Sequence, residues 1–393
     1  MPSYPAAGVK RAIPRVLALY ALSRLVTTVF LFAVLPFAAQ GDCGSRCTPD
    51  LRFFSGGWDA TYYRHIAVQG YPASLPIGPD GEVKANEWAF LPVYPLVVRA
   101  VSLTGLNVDL AGIVVSVVAG AFAAIGLYLL VRVDGSDRSA LWAVALFCFG
   151  PLSFVLQAEY AESLFLTLAF FALHAIRRER WSLACGLGIV AAFTRPGALA
   201  IALTLGIVLV MRSVRARGRA RLSRRSTVAV VVSGLLIAAA GLCWPMIAGA
   251  VTGVPDAYLR TETAWWAGFI GRVDFLPLTP WFLFWGRYLG LLGWVAVLVV
   301  AGLFAWWIVG SRRRMLAAGA DPLVLVSWPA SYGLYLLAVF LPQQSLPRLL
   351  LPLAPMLGDP GLAERRGLRV CLLIAGIAVQ PVAIVLLWVL GYP

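Results

Sequence analysis

The residue with the clearest chemical potential is Asp59, which lies in the stretch WDATYYRHIAVQGYP at positions 58–72. Ser55 is a suitable N-cap, and Gly70 followed by tyrosine and proline is a typical helix stop, so an amphipathic helix of about four turns is predicted between them. The helix dipole favours a negative charge in the first turn, so we expect Asp59 to be ionised near neutral pH. An ionised carboxylate among aromatic side chains suits a general base that takes a proton from a sugar hydroxyl.

The same spacing also fits a role without catalysis. Trp58, Tyr62 and Ile66 share one helix face, with Asp59 and Tyr63 beside it. In this alternative Asp59 only favours the start of the helix, and the aromatic residues form a belt at the membrane surface. The spacing alone leaves both interpretations open.

Further acidic residues and arginines lie in short segments at the ends of apolar stretches. They are Glu159 and Glu162 in AEYAES, Arg195 before Pro-Gly, Arg260 and Glu262 in a later loop, and Arg348 after a proline. A guanidinium can hold two phosphate oxygens at once, so Arg195 and Arg348 are candidates for binding a phosphate. The alternative is that each arginine pairs with a nearby carboxylate such as Glu159, Glu162 or Glu262.

The elements that must position these residues are membrane helices. The 393-residue chain is 61% hydrophobic and only 13% charged, which is typical of a polytopic membrane protein. Eleven spans are predicted, at 13–37, 109–131, 139–157, 162–176, 182–194, 197–211, 226–250, 287–310, 322–341, 343–358 and 369–391. The apolar stretch 91–104 is too short to cross and is predicted as an interfacial or re-entrant helix.

Charge sets the predicted orientation. The gaps rich in arginine alternate with acidic or neutral gaps, and the positive-inside rule places the basic gaps and the N-terminus in the cytoplasm. The chain is then one integral-membrane domain, 1–393, with a long outer loop at 38–108 and a second at 251–286. All the candidate residues above fall on the outer face. The net charge of +14 is explained by topology and by contact with anionic membrane lipids, so no nucleic-acid partner is predicted.

Two cysteines in the first outer loop, Cys43 and Cys47, are disulfide candidates because they lie four apart in a compartment that permits oxidation. With only His65 and His174 in the chain, no Cys/His zinc site is predicted. The sequence shows no required cofactor and leaves a divalent metal open. It also contains no P-loop, no GxGxxG after a strand and no GxSxG.

Several motifs resemble one known family. WDATYYRHIAVQGY, WAFLPVYP, AEYAESLF, RRERWSLACGLGIVAAFTRPGAL and LPRLLLPLAP, in this order over about residues 50 to 357, are similar to the PIG-V mannosyltransferases, which add the second mannose in GPI-anchor synthesis. The family's Trp-Asp pair matches 58–59, its Gly-Tyr matches 70–71, and its Tyr-x-Glu block matches Tyr160 and Glu162. Its Arg before Gly matches Arg195, and its late Pro-Arg matches 347–348. Leu91, Val93 and Leu349 depart from the family pattern.

The resemblance implies a GT-C-like bundle of about 10–11 transmembrane helices with a helical first outer loop that bears the catalytic acid. It also implies a polyprenyl-phosphate sugar as donor. We therefore expect transfer of mannose from polyprenyl-phosphate-mannose to a glycolipid, lipoglycan or protein on the outer face of the cell membrane, with inversion. The alternative is a transporter, flippase or accessory subunit for lipid-linked sugars, for which Asp59 would tolerate replacement by asparagine.

The expected roles are as follows. Asp59 and Glu162 are the catalytic acids, and Arg348 and Arg195 bind the donor phosphate. The substrate pocket is expected to be lined by Trp58, Tyr62, Tyr63, His65, Tyr94, Tyr160, Glu159, Arg260 and Glu262.

Overall fold

The computed structural model describes residues 6–38, 56–133, 136–214 and 222–390. Within these ranges the regular elements are helices, and the sole β feature is an isolated bridge between Ile77 and Val83. The predicted all-α fold is confirmed. Cys43, Cys47 and Ser55 lie outside the described residues.

The α-helices, in chain order, are α1 (Ala6–Ala38), α2 (Asp59–Gln69), α3 (Val93–Ser102), α4 (Val108–Arg132), α5 (Asp137–Cys148), α6 (Glu162–Arg177), α7 (Trp181–Ala192), α8 (Leu199–Val214), α9 (Arg224–Thr252), α10 (Ala257–Ala264), α11 (Ala267–Ile270), α12 (Pro280–Leu289), α13 (Leu291–Ala317), α14 (Leu323–Val339), α15 (Pro360–Glu364) and α16 (Arg366–Ile384). The 3₁₀ segments are Glu87–Ala89, Ser153–Gln157, Pro196–Ala198 and Leu346–Gly358, and a π-helical turn, Val385–Val389, extends α16.

Six stretches of the described chain are long and apolar enough to cross a membrane. They are Arg11–Pro36, Val108–Arg132, Pro196–Val214, Arg224–Thr252, Leu291–Ala317 and Arg366–Val389. The other five predicted spans correspond to shorter elements, among them α6, α7 and α14. The chain is a polytopic membrane protein, and its shorter helices lie between the long ones.

Helix α4 is central to the bundle and packs most extensively against α6. Its buried face is rich in alanine and glycine, which allows neighbouring side chains to approach closely. At Gly112, an added Cβ would lie 2.9 Å from Cγ of Glu159. A side chain at this position would clash with Glu159, so glycine allows the Glu159 side chain to pack against the helix.

The segment predicted as one span at 139–157 is interrupted, and this prediction is wrong as a continuous helix. Helix α5 ends at Cys148, and the chain runs through Gly-Pro and a 3₁₀ turn before α6 begins at Glu162. Proline cannot continue the α-helical hydrogen-bond pattern, which accounts for the break. Arg24 of α1, only 7% exposed, donates to the carbonyl oxygens of Cys148 and Ser153 at 3.1 and 2.6 Å.

The bundle has two ends. The site face carries Asp59 in α2 and the start of α6 at Glu162. At the opposite face, Arg177 donates to the carbonyl oxygen of Leu130, and Arg314 pairs with Asp359 at 2.6 Å.

Helix α2 ends where the sequence predicts, at Gly70, whose φ of +84° places it in the left-handed region. Its first residue is Asp59, preceded by Trp58 with a φ of +56°, a value that is uncommon for a residue with a side chain. The stretch 91–104 forms only the short helix α3, as predicted. These short helices cover the site face.

Candidate active site

Four residues singled out in the sequence meet at the site face in a row of alternating charge. Arg348 Nη2 lies 2.5 Å from Oδ2 of Asp59, and its Nη1 lies 3.4 Å from Oε1 of Glu162. Arg195 forms an ion pair with the same oxygen of Glu162. The order is therefore Asp59, Arg348, Glu162, Arg195; we call these four residues the charge row.

Each member of the charge row comes from a different element end. Asp59 is the first residue of α2, and Glu162 is the first residue of α6, so both carboxylates lie where the helix dipole favours negative charge. Arg195 immediately precedes the 3₁₀ turn at Pro196–Ala198, and Arg348 belongs to the 3₁₀ segment at Leu346–Gly358. Element ends place the polar groups where the backbone leaves the apolar bundle.

Aromatic rings form the walls around the charge row. The guanidinium of Arg348 lies over the ring of Tyr160, 4.8 Å from its centroid, a cation–π contact. The Tyr160 hydroxyl donates to the carbonyl oxygen of Gly57 at 3.4 Å. Tyr63 is buried and packs edge-on against Tyr94, with ring centroids 4.9 Å apart. These contacts fix the loop before Asp59 and the floor beneath Arg348.

The charge row is largely shielded from solvent: the side chain of Asp59 is 21% exposed and that of Glu162 is 5% exposed. Burial raises the pKa of Asp59, and the Arg348 guanidinium opposes this rise. The sequence pointed to the helix dipole as the influence on Asp59, but burial and Arg348 are the larger influences. A carboxylate with a raised pKa is a stronger base than an exposed aspartate.

Arg348 has hydrogen-bonding capacity to spare. Its Nε and Nη1 are buried and have no hydrogen-bond partner among the described residues. A buried donor without a partner is costly, so a ligand that accepts these hydrogens would be favoured. The sequence left open whether Arg195 and Arg348 bind phosphate or pair with carboxylates; without ligand, both are paired.

A third carboxylate, Glu262 of α10, faces the same region. Burial raises the pKa of Glu262 to about 7, a hydrogen bond from the Tyr258 hydroxyl lowers it, and the charge of Asp59 raises it further. Glu262 is thus close enough for the charge of Asp59 to act on it.

Two aromatic residues predicted for the pocket lie next to Asp59 in α2 and its preceding loop. Tyr62 stacks on Phe90 with centroids 4.8 Å apart and meets Trp265 edge-on at 5.4 Å. Trp58 donates from its indole to the carbonyl oxygen of Trp388 at 3.4 Å. Both side chains border the site without belonging to the charge row.

Four predicted pocket residues make their contacts elsewhere. Glu159 lies 3.6 Å from Arg64, which pairs with Asp109 at 2.9 Å. Arg260 is exposed and pairs with Asp256 at 2.8 Å, one turn earlier on its own helix.

His65 is 43% exposed and contacts Glu87 at 2.5 Å. The Tyr94 hydroxyl bonds to Ser116 at 2.9 Å and to the Gly112 carbonyl oxygen at 3.1 Å. The contacts of each of these four side chains depend on its burial or on a nearer partner. Spacing along the sequence reveals neither of these.

Some residues near the charge row were not predicted from the sequence. Tyr332 and Tyr335 of α14 lie beside the turn that follows Arg195: a Cβ at Gly197 would lie 2.8 and 3.6 Å from their rings, which are 5.7 Å apart. Trp388, near the end of the chain, packs against Tyr160 at 5.2 Å. Two tyrosines three residues apart within an apolar stretch were the sequence feature that could have identified this part of the site, because a buried hydroxyl needs a polar neighbour.

No group of three or more His, Cys, Asp or Glu residues suited to a metal ion is found in the part of the chain that the structure describes.

Comparison with known proteins is consistent with this geometry. Residues 92–263 match a family described as predicted membrane protein (DUF2079). Over 138 residues the chain is 28% identical to GPI mannosyltransferase 2 of Schizosaccharomyces pombe, which is 32% of this chain and 27% of that protein. Over 134 residues it is 33% identical to GPI alpha-1,6-mannosyltransferase 2 of Cricetulus griseus, 31% of this chain and 25% of the relative.

Over about a third of its length the chain is thus similar to GPI mannosyltransferase 2. It also matches the crystal structure of the Archaeoglobus fulgidus oligosaccharyltransferase in complex with Zn and sulfate, with a TM-score of 0.53 and 13% identity. That match covers 93% of this chain and 52% of the other, and it supports the predicted GT-C-like fold. The aligned stretches span only about a quarter of the length of the curated relatives.

Proposed function

We propose that the protein is a membrane glycosyltransferase that transfers mannose from polyprenyl-phosphate-mannose to an acceptor hydroxyl, with inversion at the anomeric carbon. The observation that carries this proposal is the charge row, in which one arginine holds two carboxylates and keeps unused donors. A general base and a phosphate-binding cation are the two groups that such a transfer needs. Both are supplied within one small site.

In the proposed reaction Asp59 accepts the proton of the acceptor hydroxyl while the hydroxyl oxygen forms a bond to the anomeric carbon. The bond from that carbon to the phosphate oxygen breaks, and polyprenyl phosphate leaves with the electron pair. Arg348 and Arg195 would offset the negative charge that develops on the leaving phosphate. Because phosphate leaves as an anion, the step requires no separate general acid.

The ion pair of Asp59 with Arg348 fits this sequence of events. Nη2 of Arg348 is committed to Asp59, whereas Nε has no partner among the described residues and Nη1 makes only the 3.4 Å ion-pair contact with Glu162, so either could donate to a phosphate. A phosphate that draws Arg348 towards itself would weaken its hold on Asp59 and leave the carboxylate freer to accept a proton. Donor binding would in this way prepare the base.

The remaining acids are assigned to the acceptor. Glu162 is held between two arginines and would orient the acceptor or assist the base. Glu262, on which the charges of Asp59 and Arg195 act, would contact a second acceptor hydroxyl. The acceptor class is a glycolipid, a lipoglycan or a protein on the outer face.

The proposed setting is the cell membrane, with the N-terminus in the cytoplasm and the site face outside. The alternation of basic and acidic gaps supports this orientation. The proposed partners are the lipid-linked donor, the acceptor and the surrounding lipids.

The direct test is to incubate the purified full-length protein with synthetic polyprenyl-phosphate-mannose and candidate acceptors, and to measure release of polyprenyl phosphate. We expect release that depends on both the acceptor and the active protein. Transport of the intact donor across a vesicle membrane without release of polyprenyl phosphate would contradict the proposal and favour a flippase.

A further inference from the structure

A second unusual arginine lies at the opposite face of the bundle. Arg369, in the first turns of α16, is 1% exposed. Its Nε and Nη1 have no hydrogen-bond partner among the described residues. Its guanidinium lies over the ring of Trp142, 4.8 Å from the centroid. The ring therefore covers the cation on one side, while Nε–H and Nη1–H remain without a partner in the described part of the chain.

The surroundings of Arg369 add positive charge. Arg138 and Arg366 lie close enough for their charges to act on Arg369. Arg138 is four residues before Trp142 on α5, so both occupy the same helix face. Arg366 is one turn before Arg369 on α16. We call Arg138, Arg366 and Arg369 the arginine cluster.

The N-termini of two helices add to this positive charge. Helices α5 and α16 both begin beside the arginine cluster, and the N-terminus of a helix carries partial positive charge. The two helices contact each other in the bundle. Three guanidinium groups and two helix N-termini thus converge on one small region.

Carboxylates do not offset this charge within the described ranges. Asp137 is bonded to Arg132 at 2.5 Å and accepts from the Tyr128 hydroxyl at 2.8 Å. The nearby pair at the same face, Arg314 with Asp359, shows the usual arrangement, in which a carboxylate satisfies the arginine. Burying a cation without such a partner among the described residues is costly, so an anionic ligand at this place would be favoured.

We propose that the arginine cluster binds the phosphate of an anionic phospholipid at this face of the membrane. A phosphate can accept a hydrogen bond from an unpartnered N–H of Arg369, while the exposed Arg138 and Arg366 hold its outer oxygens. This site is separate from the charge row, and its occupancy does not depend on the proposed glycosyl transfer.

The test is native mass spectrometry of the full-length protein titrated with phosphatidylglycerol, phosphatidylcholine or inorganic phosphate. We expect wild-type protein to bind one phosphatidylglycerol more tightly than any phosphatidylcholine. Arg138→Ala, Arg366→Ala and Arg369→Ala should each weaken that binding about tenfold or more, as expected for loss of a charge-assisted contact. Arg313→Ala, which removes an exposed arginine of α13 at the same face, is the matched control and should leave it unchanged.

The variants at the two exposed positions keep the test informative should Arg369→Ala fail to fold. Equal phosphatidylglycerol affinity in wild type, Arg138→Ala and Arg366→Ala would overturn the site. An equal loss of phosphatidylglycerol affinity in Arg313→Ala would overturn the site too, because the lipid would then be attracted by positive charge anywhere on this face. Inorganic phosphate that binds as tightly as the lipid, and is lost in the same variants, would overturn the lipid assignment.

Discussion

At the scale of single residues, Arg348 links the two acids of the candidate active site. It lies 2.5 Å from Asp59 and 3.4 Å from Glu162, and its stem is packed so that only 10% of the side chain is exposed. A fork-shaped guanidinium can make these contacts together, whereas the single ammonium of lysine cannot. The geometry therefore gives Arg348 both a structural contact and a proposed ligand contact.

We predict that Arg348→Lys raises the apparent Michaelis constant for the lipid donor and that Arg348→Ala raises it further. Loss of a charge-assisted phosphate contact is worth roughly 1.5 to 3 kcal/mol, about ten- to over a hundredfold in donor affinity. Steady-state kinetics at varied donor concentration measures the effect. Arg260→Ala, which removes an exposed arginine near the site, is the control. Unchanged donor affinity in a folded Arg348→Ala protein would refute the phosphate role.

Glu262 provides a prediction about stability and pH. Burial raises its pKa to about 7. The folded state thus disfavours its ionised form, and stability should fall as the pH rises from the unfolded-state value, near 4.3, to about 7. The loss is at most about 4 kcal/mol. Glu262→Gln should remove this part of the pH dependence in thermal unfolding, whereas Glu82→Gln at an exposed position should not. A Glu262→Gln curve parallel to that of wild type would contradict it.

The candidate residues were predictable from sequence to different degrees. Asp59, Glu162, Arg195 and Arg348 were named from residue type and position, and they do meet. Glu159 is only three residues from Glu162, yet it contacts Arg64 instead. Sequence spacing identifies polar groups at helix ends, but their partners depend on which distant segments pack beside them.

At the scale of elements, the break between α5 and α6 shapes the site. This segment carries Tyr160 and delivers Glu162 to the charge row. Arg24 holds the break by donating to two backbone carbonyls inside the bundle. An arginine in a membrane helix is costly, and here it satisfies carbonyls that the interrupted helix leaves without partners.

We predict that Arg24→Ala destabilises the protein by about 2 kcal/mol or more, because a buried carbonyl without a donor costs about 1 to 3 kcal/mol. Turnover should fall as well, since Tyr160 and Glu162 follow the break. Thermal unfolding in detergent, measured beside the donor assay, tests both effects. Arg11→Ala, at an exposed position of the same helix, is the control. Wild-type stability of Arg24→Ala would show that the break is held by other contacts.

Hydropathy located most elements but not their interruptions. The predicted span at 109–131 matches α4 almost residue for residue, and the predicted stop at Gly70 ends α2. By contrast, the stretch predicted as a span at 343–358 contains a 3₁₀ segment with two internal prolines. Average hydropathy does not detect such breaks, because proline and glycine alter backbone hydrogen bonding but hardly change the mean hydropathy of the segment.

At the scale of the whole molecule, the two faces carry different chemistry. The site face combines acids, arginines and aromatic rings, whereas the opposite face gathers arginines such as the arginine cluster. This asymmetry is what the positive-inside rule uses to set orientation. The proposed orientation can be tested without any activity assay.

In a background with Cys43→Ser and Cys47→Ser, we predict that an impermeant thiol reagent labels Lys84→Cys in intact cells. Arg313→Cys should be labelled only after the cells are permeabilised. Both positions are exposed and lie at opposite ends of the bundle, so access reports the side of the membrane. The reverse pattern would overturn the orientation and the outward placement of the site.

The central claim is that Asp59 is the base of a glycosyl transfer, and its most direct test is the turnover of Asp59→Asn with polyprenyl-phosphate-mannose and an acceptor. Asp80→Asn, at an exposed position of the same loop, is the matched control. Loss of a general base should lower the rate about 10²- to 10⁴-fold, while the variant elutes and unfolds like wild type and Asp80→Asn retains activity. Turnover of Asp59→Asn close to that of wild type would contradict the account.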